Sequence, residues 1–258
     1  VQIGDTEFHR RERDDILHPE LTSAAALEDV HRQLGSYFFA AQYQQSPVPP
    51  AGNMIKRDWF KRYKDKPSRE KFSRIIQSWD TATSVDKNAS YSVCTTWGVR
   101  ESRYFLLGVN RARLEFPELQ HLVVTLARTW EADTVLIEKA SSGLALLQNL
   151  QNKTVSPLIP IPVESHKEVR VAQVSPIIEA GRLVLPTEAD WLADFEKEIL
   201  GFPSTRHDDQ VDSMTQFLIW ITWRERRKSP VRAWLIGGES VRDLYRERTG
   251  IPTFGNNC

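Results

Sequence analysis

From residue 72 onward, short alternating or continuous apolar runs are separated by longer stretches of helical spacing. "FSRIIQSWD" (72–80) alternates and then turns apolar, which predicts a strand ending at Asp80. "YSVCTTWGVR" and "RYFLLGVNR" are two further strands separated only by "ES", so the first three strands are expected to form an antiparallel meander. "FPELQHLVVTLARTWEA" spaces its apolar residues as a helix does, with a proline in the opening turn. "DTVLIEKA" reads as a short strand ending at Glu138, "SSGLALLQNLQN" as a helix and "SPLIPIPV" as a fifth strand. The helix "EVRVAQVSPIIEAG" closes on Gly181 as a C-cap. A strand "RLVLP", a helix "EADWLADFEKEIL" and the segment "TRHDDQVDSMTQFLIWITW" follow. This order predicts an α/β fold with a mixed sheet of five or more strands, the first three antiparallel, and helices on both faces. Sites in such sheets lie beyond the carboxyl ends of central strands, where Asp80 and Glu138 stand.

Residues 1–70 read as an approach to this core. "AAALEDVHRQLGSYFFAAQYQ" has helical spacing, "SPVPPAG" stops it, and the charged, aromatic "MIKRDWFKRYKDKPSRE" reads as a connecting segment.

Composition narrows the class. At 258 residues the chain can bury one substantial core, or one domain with extensions at its ends. With 40% hydrophobic and 26% charged residues it has the make-up of a soluble globular protein. Its longest apolar runs, such as "MTQFLIWITW", are too short and too polar to span a bilayer, and no charged-then-apolar leader opens it. Two cysteines, Cys94 and Cys258, make no disulfide framework, which fits a reducing cytoplasm; Cys94 reads as a small core residue in a strand. The 34 basic and 34 acidic residues cancel. A dedicated nucleic-acid coat would be more basic, but local patches decide DNA binding. Each basic run, "RRERDD", "RERRK" and "RDLYRER", reads by itself as solvated surface.

The candidate chemistry lies in acids. Asp208, Asp209 and Asp212 fall within five residues and head an apolar segment. On a helix, Asp212 shares a face with either of the other two. Asp208 or Asp209 could be an N-cap, which leaves the other acids repelling it. If the first and fourth strands pair in parallel, Asp80 and Glu138 become neighbours, and the helix opening near Asp208 brings a third acid to the same edge. Clustered carboxylates are best stabilised by a hard divalent cation, magnesium or manganese. Two such ions about 3.5–4 Å apart could activate water and stabilise the leaving oxygen of a phosphodiester.

Several stretches together resemble a known family. "YFFAAQYQQSPVPPAG", "SWDTA", "VLIEKASSGLALLQNLQ", "VSPIIEAGRLVLP" and "FPSTRHDDQVDS", between about Gly35 and Trp223, are similar in kind and order to the nuclease domain of the tailed-phage terminase large subunit. The resemblance implies a ribonuclease H-like fold related to the RuvC resolvases and a metal-dependent endonuclease that cuts concatemeric double-stranded DNA during genome packaging. Carried over by position, it implies Asp80, Glu138 and Asp209 as catalytic metal ligands. Asp212 matches a second acid of the resolvase relatives and is a fourth candidate metal ligand, with Asp208 as the adjacent alternative. Lys139, His166, Lys167, Arg170 and His207 are candidate DNA contacts, and "SSG" (141–143) a tight helix start.

The implied partners are double-stranded DNA, the terminase ATPase domain, a small terminase subunit and the portal, with no membrane, in the host cell cytoplasm. No G-x-x-x-x-G-K-[ST] loop occurs, so either the chain is an excised nuclease half or its motor is a separate polypeptide. The junction-like "LGSYFFAAQYQQSPVP" favours the first. Residues 1–70 would then hold the end of the ATPase half, its linker and the connecting segment, 71–228 the nuclease domain, and 229–258 a basic tail. A resolvase or transposase of the same fold, or a non-cutting DNA-docking module, are the rival readings.

Overall fold

The computed structural model describes residues 2–3, 7–8, 16, 19, 21–44, 54–82, 91–139, 141–150, 156–162 and 165–228. The "SPVPPAG" stretch, "RRERDD" and the 229–258 tail lie outside these described residues. Strands β1 (Gln2–Ile3) and β2 (Glu7–Phe8) form a small antiparallel ladder of their own. Helix α1 (Ala24–Tyr43) starts at Ser23, whose hydroxyl accepts from the Ala26 N–H, and is kinked at Gly35.

The main sheet is built from β3 (Lys61–Tyr63), β4 (Arg74–Asp80), β5 (Ser92–Arg100), β6 (Arg103–Ala112), β7 (Thr134–Glu138), β8 (Leu158–Ile161) and β9 (Leu183–Pro186). Its seven strands lie in the order β3-β9-β6-β5-β4-β7-β8. β4, β5 and β6 are the predicted antiparallel meander. β4 pairs in parallel with β7, and β7 with β8, as ribonuclease H-like architecture requires. The sheet extends beyond the predicted meander and crossover strands on one side. Residues 61–63, read from sequence as a connecting segment, run parallel to β9 at the sheet edge. A three-residue edge strand shows too few alternations to stand out from a charged stretch, yet Met54, Ile55 and Phe60 around it are buried.

Strand alternation assigns the two faces. Ile75 and Trp79 of β4, Cys94 of β5, and Val135 and Ile137 of β7 form one core with Leu119, Val123 and Ala127 of α2 (Phe116–Thr129) and Leu146 and Leu150 of α3 (Ser141–Leu150). α2 opens with the expected proline and a reciprocal capping box between Glu115 and Glu118. Across the sheet, Trp97 stacks on Phe217 of α6 (Asp209–Lys228) with ring centroids 4.8 Å apart. Tyr104 meets the same ring edge-on at 5.5 Å. Helices α4 (Lys167–Glu179) and α5 (Leu192–Gly201) complete the set. α4 ends as predicted: Gly181 takes φ 67°, which favours glycine, and its N–H donates to the Ile178 carbonyl. Residues 220–228 are the described part of a second unit. Within that unit the Arg224 and Arg227 guanidiniums lie over the Trp220 and Trp223 rings at 5.2 and 4.3 Å.

Candidate active site

Residues 76, 78 and 80 of β4 belong to the α6 face of the sheet, opposite Ile75 and Trp79. In β7, Leu136 and Glu138 likewise alternate with the Val135 and Ile137 of the other core. The two strands are in register from Ile76↔Thr134 to Trp79↔Ile137, so Asp80 and Glu138 stand side by side one step further on. Parallel pairing and a shared period thus put both carboxylates at one sheet edge on one face.

α6 supplies the remaining acids. Asp209, Asp212, Ser213 and Gln216 recur at helical spacing and are all buried. Ser213 Oγ donates to the Ser78 carbonyl at 2.8 Å and lies 2.7 Å from Thr95 Oγ1. Gln216 Nε2 donates to Ser78 Oγ at 2.9 Å and to the Trp79 carbonyl at 3.3 Å. A polar stripe therefore sews α6 to β4 just below Asp80, and its satisfied hydrogen bonds are what makes burying it tolerable. The sequence carried a signal for this in "DQVDSMTQ", polar residues at positions where a buried helix would otherwise be apolar.

Capping does not explain the acids. The Gln210 N–H at the start of α6 donates to Glu198 Oε1 of α5 at 2.6 Å, and the Gln210 side-chain amide to Glu198 Oε2 at 2.7 Å. Glu198, itself buried, accepts from the helix terminus in the way the alternative capping reading gave to Asp208 or Asp209. Sequence reading missed it, because nothing local to "DFEKEIL" announces a partner twelve residues on.

The charges around Asp80 define the site. Burial raises its carboxyl well above the usual carboxylate range, the charges of Glu138, Asp212 and Asp209 push it further up, and Lys167 opposes them. Asp209 Oδ2 accepts from the Tyr91 N–H at 3.3 Å and lies 3.9 Å from His207 Nδ1. Asp212 has both oxygens engaged. Oδ1 accepts from Arg170 Nη2 at 2.7 Å and Oδ2 lies 2.8 Å from Lys167 Nζ. Burial nonetheless raises the Asp212 carboxyl to about 6, against the pull of Arg170 and Lys167. Lys167 also reaches Asp208 Oδ1 at 2.6 Å. Burial by itself would lower the Lys167 ammonium, but hydrogen bonds to Asp208 and Asp212 raise it above its ordinary range.

The other residues singled out in the sequence divide. Arg170 is buried and bonded to Asp212, and His207 borders Asp209. Lys139 and His166 are exposed, Lys139 at the end of β7 and His166 at the N-cap of α4. Gly143 packs against the end of β7 so tightly that a Cβ there would lie 1.9 Å from the Glu138 carbonyl oxygen. Gly143→Ala is therefore expected to push α3 off β7, costing about 1–3 kcal/mol as overpacking does and displacing Glu138. Thermal unfolding of the variant checks this, and a wild-type midpoint would refute it.

Among the described residues, no three His, Cys, Asp or Glu side chains close into a finished metal-binding group. The donor chemistry still suits a hard cation. Asp80 lies in the repulsive field of Glu138, Asp212 and Asp209, all oxygen donors, and of these Asp212 also has cationic partners, as does Asp208.

A mixed sheet of this order, with acids at the carboxyl ends of its paired central strands and a third from a crossing helix, is of the ribonuclease H-like class. The model of the terminase RNaseH-like domain matches residues 77–219, more than half the chain, and this protein belongs to that family. The fold is similar to that of a large terminase from a thermophilic bacteriophage, at 13% identity and TM-score 0.59, over 78% of this chain and 53% of that one. The ADP complex of that large terminase aligns with TM-score 0.61 at 12% identity, over 79% and 53% of the two chains. The large terminase nuclease of thermophilic phage G20c with bound magnesium aligns at 16% identity with TM-score 0.51, over 66% of this chain and 98% of that one. The chain thus spans about half the length of the large terminases it matches. No curated protein matches it.

Proposed function

We propose that this chain is the metal-dependent endonuclease part of a DNA-packaging terminase, hydrolysing phosphodiester bonds of concatemeric double-stranded DNA with two divalent ions, magnesium or manganese. The observation that supports this best is the gathering of Glu138, Asp209 and Asp212 around a desolvated Asp80 at the paired ends of β4 and β7. Bound divalent cations would neutralise that repulsion and supply electrophilic activation of water and of the leaving oxygen.

The protein's own groups hold the site together. Asp80, Glu138 and Asp209 would be the ligands. Ser213 and Gln216 keep α6 seated on β4, so that Asp209 stays over the strand ends. Arg170 and Lys167 tie α4 to α6 through Asp212, which on this geometry acts as a positioning residue in the absence of metal. His207 Nδ1 stands 3.9 Å from Asp209 Oδ2, beside the proposed ligand. Lys139 and His166, exposed at the rim, are candidate contacts to the DNA backbone. The ATPase domain, small subunit and portal are the proposed partners, in the host cytoplasm, which fits an alignment that spans about half the length of the large terminases.

Plasmid cleavage by the purified chain tests the reading. Manganese or magnesium should support nicking and linearisation, and EDTA should abolish both. Asp209→Asn should lose activity, while Asp208→Asn, whose carboxylate is held by Lys167, should keep most of it. Metal-independent cutting, or full activity in Asp209→Asn, would overturn the assignment. Preference for four-way junctions over linear duplex would move it to a resolvase.

A further inference from the structure

We propose that Arg111 and Arg113, gathered on the ring of Tyr91, bind phosphates of the duplex strand that enters the acid cluster. This rests on the nuclease reading above. Sheet register brings the three residues together. Ser92 pairs with Ala112 and Val93 with Arg111, so Tyr91 and Arg113 meet one step beyond the ladder. Both guanidinium carbons lie 4.0 Å from the Tyr91 ring centroid. The Tyr91 N–H is bonded to Asp209 Oδ2 at 3.3 Å, and its ring meets His207 edge-on at 5.3 Å. A two-arginine platform thus abuts a candidate ligand acid.

The charge pattern gives the platform its role. An acid cluster repels a polyanion that carries one charge per about 1.7 Å of duplex, so fixed cations at the rim must bring the backbone in. On the α4 side, the cations of Lys167 and Arg170 sit directly on Asp208 and Asp212. On the β6 side, Arg111 faces Glu198 only at 3.6 Å. Both Glu198 oxygens there accept from Gln210. The Arg111 side chain is 23% exposed, so its guanidinium is within reach of solvent. Stacking on an aromatic ring fixes the guanidinium plane, which suits the two-point geometry of phosphate recognition.

The test is equilibrium binding of the metal-free protein, in EDTA, to a fluorescein-labelled linear duplex at several salt concentrations. For wild type, log K should fall linearly with log salt. Arg111→Gln and Arg113→Gln should each bind several-fold more weakly and lower that slope by roughly 0.9, one released counterion each. A loss of packing alone would not change the slope of molecules that remain folded. Gln variants with wild-type affinity and slope, in a protein that still cleaves plasmid, would overturn this inference and leave the nuclease reading standing. A wild type that neither binds duplex nor cleaves would take both down. Should a Gln variant fail to fold, the Lys variant at that position decides. Several-fold weaker binding at unchanged slope would support the two-point contact, and wild-type affinity would refute it.

Discussion

Asp80→Asn is expected to abolish metal-dependent cleavage and, at the same time, to make the metal-free protein more stable. The loss of activity should exceed about 100-fold, because even partners outside the ligand set of a metal site commonly cost about 10–100-fold. The gain in stability follows from the sign of the Asp80 shift. Its folded carboxyl is held well above its unfolded value by burial and by Glu138, Asp212 and Asp209. The folded state therefore binds more protons than the unfolded one between an unfolded pKa of about 3.9 and the raised folded value. Stability is lost as pH rises through that window, and above it the full penalty of an ionised Asp80 remains. Asp212, raised to about 6, adds a loss of the same sign from about pH 4 to 6. Asparagine removes the Asp80 penalty. At neutral pH in EDTA the melting point of Asp80→Asn should exceed that of wild type by a few degrees, at roughly 2–4 °C per kcal/mol for a domain of this size. Manganese should raise the wild-type melting point and leave the variant nearly unmoved. A variant that melts below wild type in EDTA would mean that Asp80 is not under electrostatic strain.

Arg170→Ala should be the most destabilising single change at the site. It removes the Nη2 donor from Asp212 Oδ1 and leaves a buried carboxylate with Lys167 as its remaining ion-pair partner. Breaking a buried pair from one side typically costs about 3–5 kcal/mol. The deficit should shrink from pH 8 to pH 5, because a carboxyl with its pKa at about 6 is mostly protonated at the lower pH and has less charge to leave unpaired. Chemical denaturation at the two pH values measures this. Asp212→Ala in the Arg170→Ala background should cost far less than Asp212→Ala in wild type. Additive losses, or a deficit independent of pH, would show that the pair does not act as a unit.

The fold was legible in the sequence wherever one side chain's neighbours along the chain decide its fate. The apolar, β-rich runs "RIIQSWD" and "TVLIE" marked both strands, so Asp80 and Glu138 could be placed at strand ends before any contact was known. The turn at "ES" required the meander, and Gly181 required the end of α4. The resemblance supplied what spacing left open, the choice of Asp209 over Asp208. β3 was not legible: three residues make too short a run for period 2 to show, and its place is decided by β9, more than a hundred residues later.

What the sequence determined by itself, then, is the local inventory: the longer strands and helices of the domain, and which acids stand where strands end. That follows from a short-range steric and hydrophobic period. What only the tertiary structure decided is the pairing of charges across long loops. Ser213 found the carbonyl of Ser78, and Glu198, not an aspartate of the acid run, took the N–H at the start of α6. Arg170, expected to face DNA, turned inward onto Asp212. A buried carboxylate takes whichever cation the packing brings within hydrogen-bond reach, and that depends on contacts that no local pattern encodes.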